Sequence, residues 1–107
     1  MSGEETIAFR MTLVTGASDE YRRRHDAIWP ELRSALQAAG VIEYRIFHEP
    51  GSTALFAVMR RRTDHNLEEL SRSKLMHEWW TLMSDIVVSD GQGVPLQTSL
   101  PEVFRLD

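Results

Sequence analysis

The chain has 107 residues, with 42% apolar and 26% charged side chains, a formal charge of -4 and no cysteine. That length is expected to form a single domain over residues 1–107, and the composition is that of an ordinary folded protein rather than a disordered or fibrous one. The acidic balance argues against nucleic acid or an anionic membrane as partner, and the lack of cysteine excludes disulfides, thiolate metal ligands and a cysteine nucleophile.

The amino end, Met1-Ser2-Gly3-Glu4-Glu5, is acidic and is not followed by a long apolar run, so no signal peptide is expected. Nothing approaches the roughly 20 apolar residues of a membrane-spanning helix, and a cytoplasmic location fits. From Thr6 to Val14, Ile7, Phe9, Met11 and Leu13 alternate with smaller or polar residues, as in a strand with one strongly apolar face. Thr15-Gly16-Ala17 is a turn, and Ser18 with Asp19 is expected to cap the first helix.

That helix carries the most informative stretch, Glu20 to Leu32. Tyr21 and His25 are one helical turn apart, and Ile28, Leu32, Ala35, Leu36 and Ala39 continue their stripe. A phenol and an imidazole are thus placed on the face that turns inward, where they need hydrogen-bond partners or a wet pocket. Histidine titrates nearest neutrality, which makes His25 the natural general acid or base. Pro30 lacks an amide proton and should kink or interrupt the helix near Ile28-Trp29, after which the pattern resumes to a stop at Gly40.

A second strand spans Val41 to Glu49, with Ile42, Tyr44 and Ile46 on one face and Glu43, Arg45 and Phe47 on the other. Pro50-Gly51-Ser52-Thr53 turns into a third strand, Ala54 to Arg61, apolar on both faces. From Asp64 to Ser84 the period is helical, with a break expected around Ser71-Arg72-Ser73. Within it, Trp79-Trp80 point about 100° apart, so one indole is expected to pack inside while the other edges a groove that could hold a sugar ring or another flat ligand. After a loop over Ser89 to Pro95, Val103 to Leu106 reads as a short last strand.

The order β-α-β-β-α-β is the ferredoxin-like α+β plan, an antiparallel sheet backed by helices. Helices cover only one face of such a sheet. The first and third strands carry apolar residues toward both, so a second copy of the chain is the economical cover, giving a two-fold dimer. If the face bearing Tyr44 meets the Tyr21/His25 side of the first helix, three polar aromatic groups converge. No internal repeat or low-complexity segment is present, nor any zinc-binding spacing, phosphate-binding glycine loop or dinucleotide fingerprint. His48, His65 and His77 lack partners at established metal spacing, Glu20 and Arg24 are spaced for a surface pair, and the arginine runs read as solvated faces.

The run Glu20-Tyr21-Arg22-Arg23-Arg24-His25 followed by Ile28-Trp29-Pro30-Glu31-Leu32 resembles the signature of the L-rhamnose mutarotase family. Tyr44 with Ile46, Leu55-Phe56-Ala57, Trp79-Trp80 with Met83, and the ending Glu102-Val103-Phe104 match it in order and spacing. The chain departs from the family pattern at Arg60-Arg61-Arg62. The resemblance implies a cytoplasmic homodimer of the dimeric α/β-barrel type that interconverts the anomers of L-rhamnose without cofactor or metal. It further implies His25 as proton donor and Tyr21, Tyr44, Trp79 and Trp80 as sugar-binding residues. Two rival classes share the expected fold: a small oxygenase acting on flat aromatic substrates, and a non-catalytic sugar-binding dimer.

Overall fold

The computed structural model describes residues 3–107; Met1 and Ser2, part of the acidic amino end, lie outside the described residues. Four strands form one sheet in the order β2-β3-β1-β4: β1 (Glu4–Thr12), β2 (Val41–His48), β3 (Ala54–Arg62) and β4 (Thr98–Ser99). Every pairing is antiparallel, and this is the ferredoxin-like arrangement expected from the element order.

Helices α1 (Ser18–Asp26) and α2 (Pro30–Ala39) connect β1 to β2, while α3 (Leu67–Leu70) and α4 (Lys74–Met83) follow β3. Pro30 does not kink a continuous helix. It stands at the start of α2, where its missing N–H costs nothing and its fixed φ suits the first turn. Gly40 closes α2 at φ 119°, and a Cβ there would meet the His65 Cβ at 2.8 Å. Both the backbone angle and the close approach require glycine.

The break expected around residues 71–73 separates α3 from α4, and the Ser73 side chain accepts from the Met76 N–H at 3.2 Å to cap α4. The first helix is capped differently from expectation. Ala17 holds the N-cap position without a side-chain bond, while Ser18 and Asp19 lie inside the first turn. There Asp19 and Glu20 still favour the positive end of the helix dipole.

One face of the sheet packs on the helices. Phe9, Met11 and Leu13 join Leu55 and Ala57 beneath Tyr21, Leu32, Trp79 and Met83. The strand register puts Met59, Tyr44 and Ile46 on this same face. The other face is mixed: β3 offers Phe56 and Val58 and β2 offers Phe47, but β1 contributes Thr6, Ala8, Arg10 and Thr12. The first strand is therefore apolar on one face only. Arg60, Arg61 and Arg62 pair with Glu4, Glu5 and Asp64 respectively; the Arg60 and Arg62 pairs are solvent-exposed, and Arg61 is the more buried of the three.

The last strand is shorter and earlier than expected. Thr98–Ser99 pairs with β1, Leu100 adds one bond to Ala8, and residues 103–106 form no strand. Pro101, with no N–H to donate, stands where the ladder stops.

Candidate functional site

Tyr21 and His25 project from successive turns of α1 onto the core side. Their rings stack with centroids 4.2 Å apart and planes 24° from parallel. Trp79 of α4 meets His25 edge-on at 5.4 Å, and Trp29, at the junction of α1 and α2, meets the same indole edge-on at 5.2 Å. From below, Tyr44 of β2 packs near Phe9 of β1, centroids 6.2 Å apart. Trp80 is half-buried, edge-on to His77 at 5.2 Å. The tryptophan pair thus divides as its 100° offset requires: Trp79 sits in the core and Trp80 at the rim.

Tyr21, His25, Tyr44, Trp79 and Trp80 all line one open groove of about 1830 Å³ between the helices and the sheet. The convergence expected of Tyr44 with Tyr21 and His25 is therefore present. The groove continues to the base of the C-terminal segment at Leu100–Glu102. A sugar-sized ligand fills only part of it, since enclosed ligand sites run to about 300–1,000 Å³. His48 also lines the groove but is bonded to the Ser52 carbonyl at 2.7 Å, and His77, edge-on to Trp80, is exposed.

The chemistry of the cluster follows from its burial. His25 Nδ1 lies 3.1 Å from the Tyr21 carbonyl oxygen, which can only accept, so Nδ1 carries the proton and Nε2 holds the lone pair of the neutral ring. Burial lowers the His25 pKa, only partly opposed by that backbone bond and by the Asp26 charge. The imidazole is therefore neutral around pH 7. Burial also raises the phenol of Tyr21 far above its ordinary value. Tyr44 is raised likewise by desolvation of its hydroxyl, with a contribution from Tyr21, although 38% of the residue stays exposed. Both phenols are thus neutral donors, and of these groups only the imidazole accepts a proton near neutrality.

A family model for L-rhamnose mutarotase matches residues 6–106. The chain belongs to the L-rhamnose mutarotase family. An L-rhamnose mutarotase of Burkholderia orbicola (strain MC0-3) is 48% identical over 103 residues, covering 96% of this chain and 99% of the relative. One of Paraburkholderia phytofirmans is also 48% identical, with 96% of each chain covered. The crystal structure of an L-rhamnose mutarotase from Formosa agariphila superposes with a TM-score of 0.88 at 34% identity, covering 96% of this chain and 99% of that one. A Mycobacterium tuberculosis protein, Rv0793, shares the fold alone, at 15% identity and a TM-score of 0.59 over 98% of this chain and all of that one.

In this mutarotase-family chain two further residues shape the cluster. Trp29 stands beside Trp79 and limits its tilt. Arg24, read from sequence as one half of a surface pair, is only 16% exposed along its side chain. Its Nε donates to Glu20 at 2.7 Å as the spacing predicts, but its Nη1 reaches the Leu82 carbonyl at 2.8 Å and Asp85 at 2.7 Å. A carbonyl in the last turn of α4 lacks a partner within its own helix, and a cation there also suits the helix dipole. Arg24 thereby ties α1, which holds His25, to the end of α4, which holds both indoles. Only its pairing with Glu20 was legible from spacing; the contacts with Leu82 and Asp85 are set by the tertiary fold.

Proposed function

We propose that this chain is a cytoplasmic mutarotase, a single domain over residues 1–107, that interconverts the α and β anomers of L-rhamnose as a homodimer. The observation that carries the reading is the gathering of one neutral imidazole, two protonated phenols and two indoles in one groove. Family membership supplies the sugar. Trp80 at the rim offers a flat face for the C–H side of a pyranose, Trp79 closes the groove from the core side, and Tyr21 and Tyr44 offer hydroxyl donors to the sugar oxygens.

Anomer exchange needs a proton removed from the anomeric hydroxyl and one delivered to the ring oxygen as the C1–O5 bond breaks. Closure on the opposite face reverses both transfers. His25 is the proton donor to the ring oxygen. Its neutral Nε2 first takes the anomeric proton, and the resulting imidazolium, made more acidic by burial, then gives a proton to the adjacent ring oxygen. The two sugar oxygens share one carbon, so a single imidazole can serve both. A placed acid–base group of this kind contributes about 10²- to 10⁴-fold. No metal or cofactor enters these steps.

Exchange NMR of the L-rhamnose anomers at equilibrium tests the proposal. Micromolar protein is expected to speed α/β exchange well above the uncatalysed rate. A sugar-binding dimer without catalysis would leave that rate unchanged, and an oxygenase would instead consume oxygen with a flat aromatic substrate; either result overturns the reading.

A further inference from the structure

The Ile28-Trp29-Pro30 junction between α1 and α2 belongs to the most informative stretch of the chain, yet the chemistry above leaves it unused. Pro30 confines the residue before it to extended backbone, and Trp29 stands at φ -59° and ψ 131°. Its carbonyl accepts the N–H of Leu32 and of Arg33, each at 3.0 Å, while Ile28 donates its own N–H to the His25 carbonyl at 3.2 Å. The backbone at Trp29 is thus tied to α2 on one side and to α1 on the other. Only side-chain torsions, restricted to a few staggered wells, remain to place its indole.

That indole does not line the groove. It is half-buried against the core and meets Trp79 at 5.2 Å, the two planes 81° apart. Trp79, itself buried, meets His25 at 5.4 Å with planes 84° apart, and Tyr21 stacks on the imidazole at 4.2 Å. Four rings therefore stand in series: Trp29, Trp79, His25 and Tyr21. The imidazole is held from its own helix by the Tyr21 ring and carbonyl, and from α4 by Trp79. Interiors are packed too tightly for a large indole to tilt unless a neighbour is removed. Trp29 is the neighbour that keeps Trp79 in place.

We propose that Trp29 is a positioning residue for the reaction: acting through Trp79, it keeps the His25 imidazole in its orientation and shields it from water. The inference rests on the mutarotase reading given above and adds a residue outside the groove to those that serve it. The charges around His25 agree with it. On α1, Asp26 acts on the ring, while Arg22 is exposed and Arg24 is turned to Glu20 and Asp85. From α4 comes the Trp79 indole, with His77 and Glu78 exposed, and β2 places the neutral Tyr44 phenol in the same groove. Burial outweighs the Asp26 charge and the backbone bond and lowers the His25 pKa. A tilted Trp79 would admit water to the ring, and that pKa would rise toward its ordinary value.

Anomer-exchange kinetics and NMR titration of the His25 ring protons, both on the full chain, test this with Trp29→Leu and Trp29→Phe. Leucine keeps apolar bulk and loses the flat wall against Trp79. It is expected to lower kcat about 10-fold with KM nearly unchanged, within the about 10²-fold that a 1 Å misplacement can cost. The His25 midpoint should move up toward about 6.5, the ordinary histidine value, and carry the acid limb of the rate with it. Trp29→Phe, with its smaller ring, should fall between. Ile86→Ala, in the same core but outside the groove, is the control: its melting temperature falls while kcat and the His25 midpoint stay at wild-type values. Wild-type kcat and midpoint in Trp29→Leu, or in Trp29→Phe should the leucine variant not fold, overturn the inference. An equal change in Ile86→Ala overturns it too, since the effect is then general loosening. The titration needs no turnover. A wild type that leaves anomer exchange at the uncatalysed rate overturns the mutarotase reading, and the His25 midpoint in the variants still decides whether Trp29 holds the imidazole.

Discussion

At the scale of single residues, the site assigns different work to side chains that touch the same groove. Tyr21→Phe keeps the ring stacked on His25 and removes only the hydroxyl. It is expected to weaken sugar binding by a hydrogen bond of about 0.5–1.5 kcal/mol while retaining most of the exchange rate, which titration and exchange NMR measure together. Trp80→Ala takes away a half-buried rim surface, so affinity should fall with the melting temperature nearly unchanged. Trp79→Ala opens a hole between Trp29 and His25 and should cost about 3–5 kcal/mol of stability by denaturant unfolding. The pH dependence follows from the lowered His25 pKa. The neutral ring starts the cycle, so the rate should be flat around neutrality and fall as the pH drops through a value below about 6.5, the ordinary histidine pKa. A rate that instead rises toward acid would show that the imidazolium starts the cycle.

At the scale of elements, what the sequence made readable depended on how local the cause was. Pro30, Gly40 and Ser73 act through their own backbone or a bond three residues away, and the element boundaries beside them were legible. Gly40→Ala is expected to destabilise the fold by ~1–3 kcal/mol for the left-handed angle, with a further cost from the His65 contact, and chemical denaturation measures it. The shared face of Tyr21 and His25 was legible for the same reason, since helical spacing alone sets it; the edge-on contact of His25 with Trp79, on another helix, was not. Arg24 was not, because its partners Leu82 and Asp85 lie 58 and 61 residues away and no spacing rule reports them. The last strand was placed too late because Val103 to Leu106 has the apolar content of a strand. Composition alone does not say whether a strand-like segment finds a partner within its own chain. Arg24→Met, which keeps the stem and removes the guanidinium, should loosen α1 against α4 and lower the exchange rate several-fold. Asp85→Asn, which keeps the shape and weakens one contact, should fall between it and wild type.

At the scale of the whole molecule, the sheet sets Tyr44 beneath the helices while leaving its second face and its tail uncovered. One side of the sheet thus serves the site, and the other is the side that the proposed dimer closes. Among the described residues no helix is long and apolar enough to cross a membrane, and the groove opens to water along its length. The central claim is that a single imidazole, held neutral by burial and oriented by the Tyr21 carbonyl, moves the proton between two oxygens of the same sugar carbon. The most direct measurement is two-dimensional exchange NMR of equilibrated L-rhamnose with wild type and with His25→Ala, under matched conditions and with binding measured alongside. The account predicts that wild type accelerates α/β exchange and that His25→Ala lowers the rate about 10²-fold or more with the sugar still bound. Wild-type exchange rates in His25→Ala would contradict it and leave the histidine a packing residue of the core.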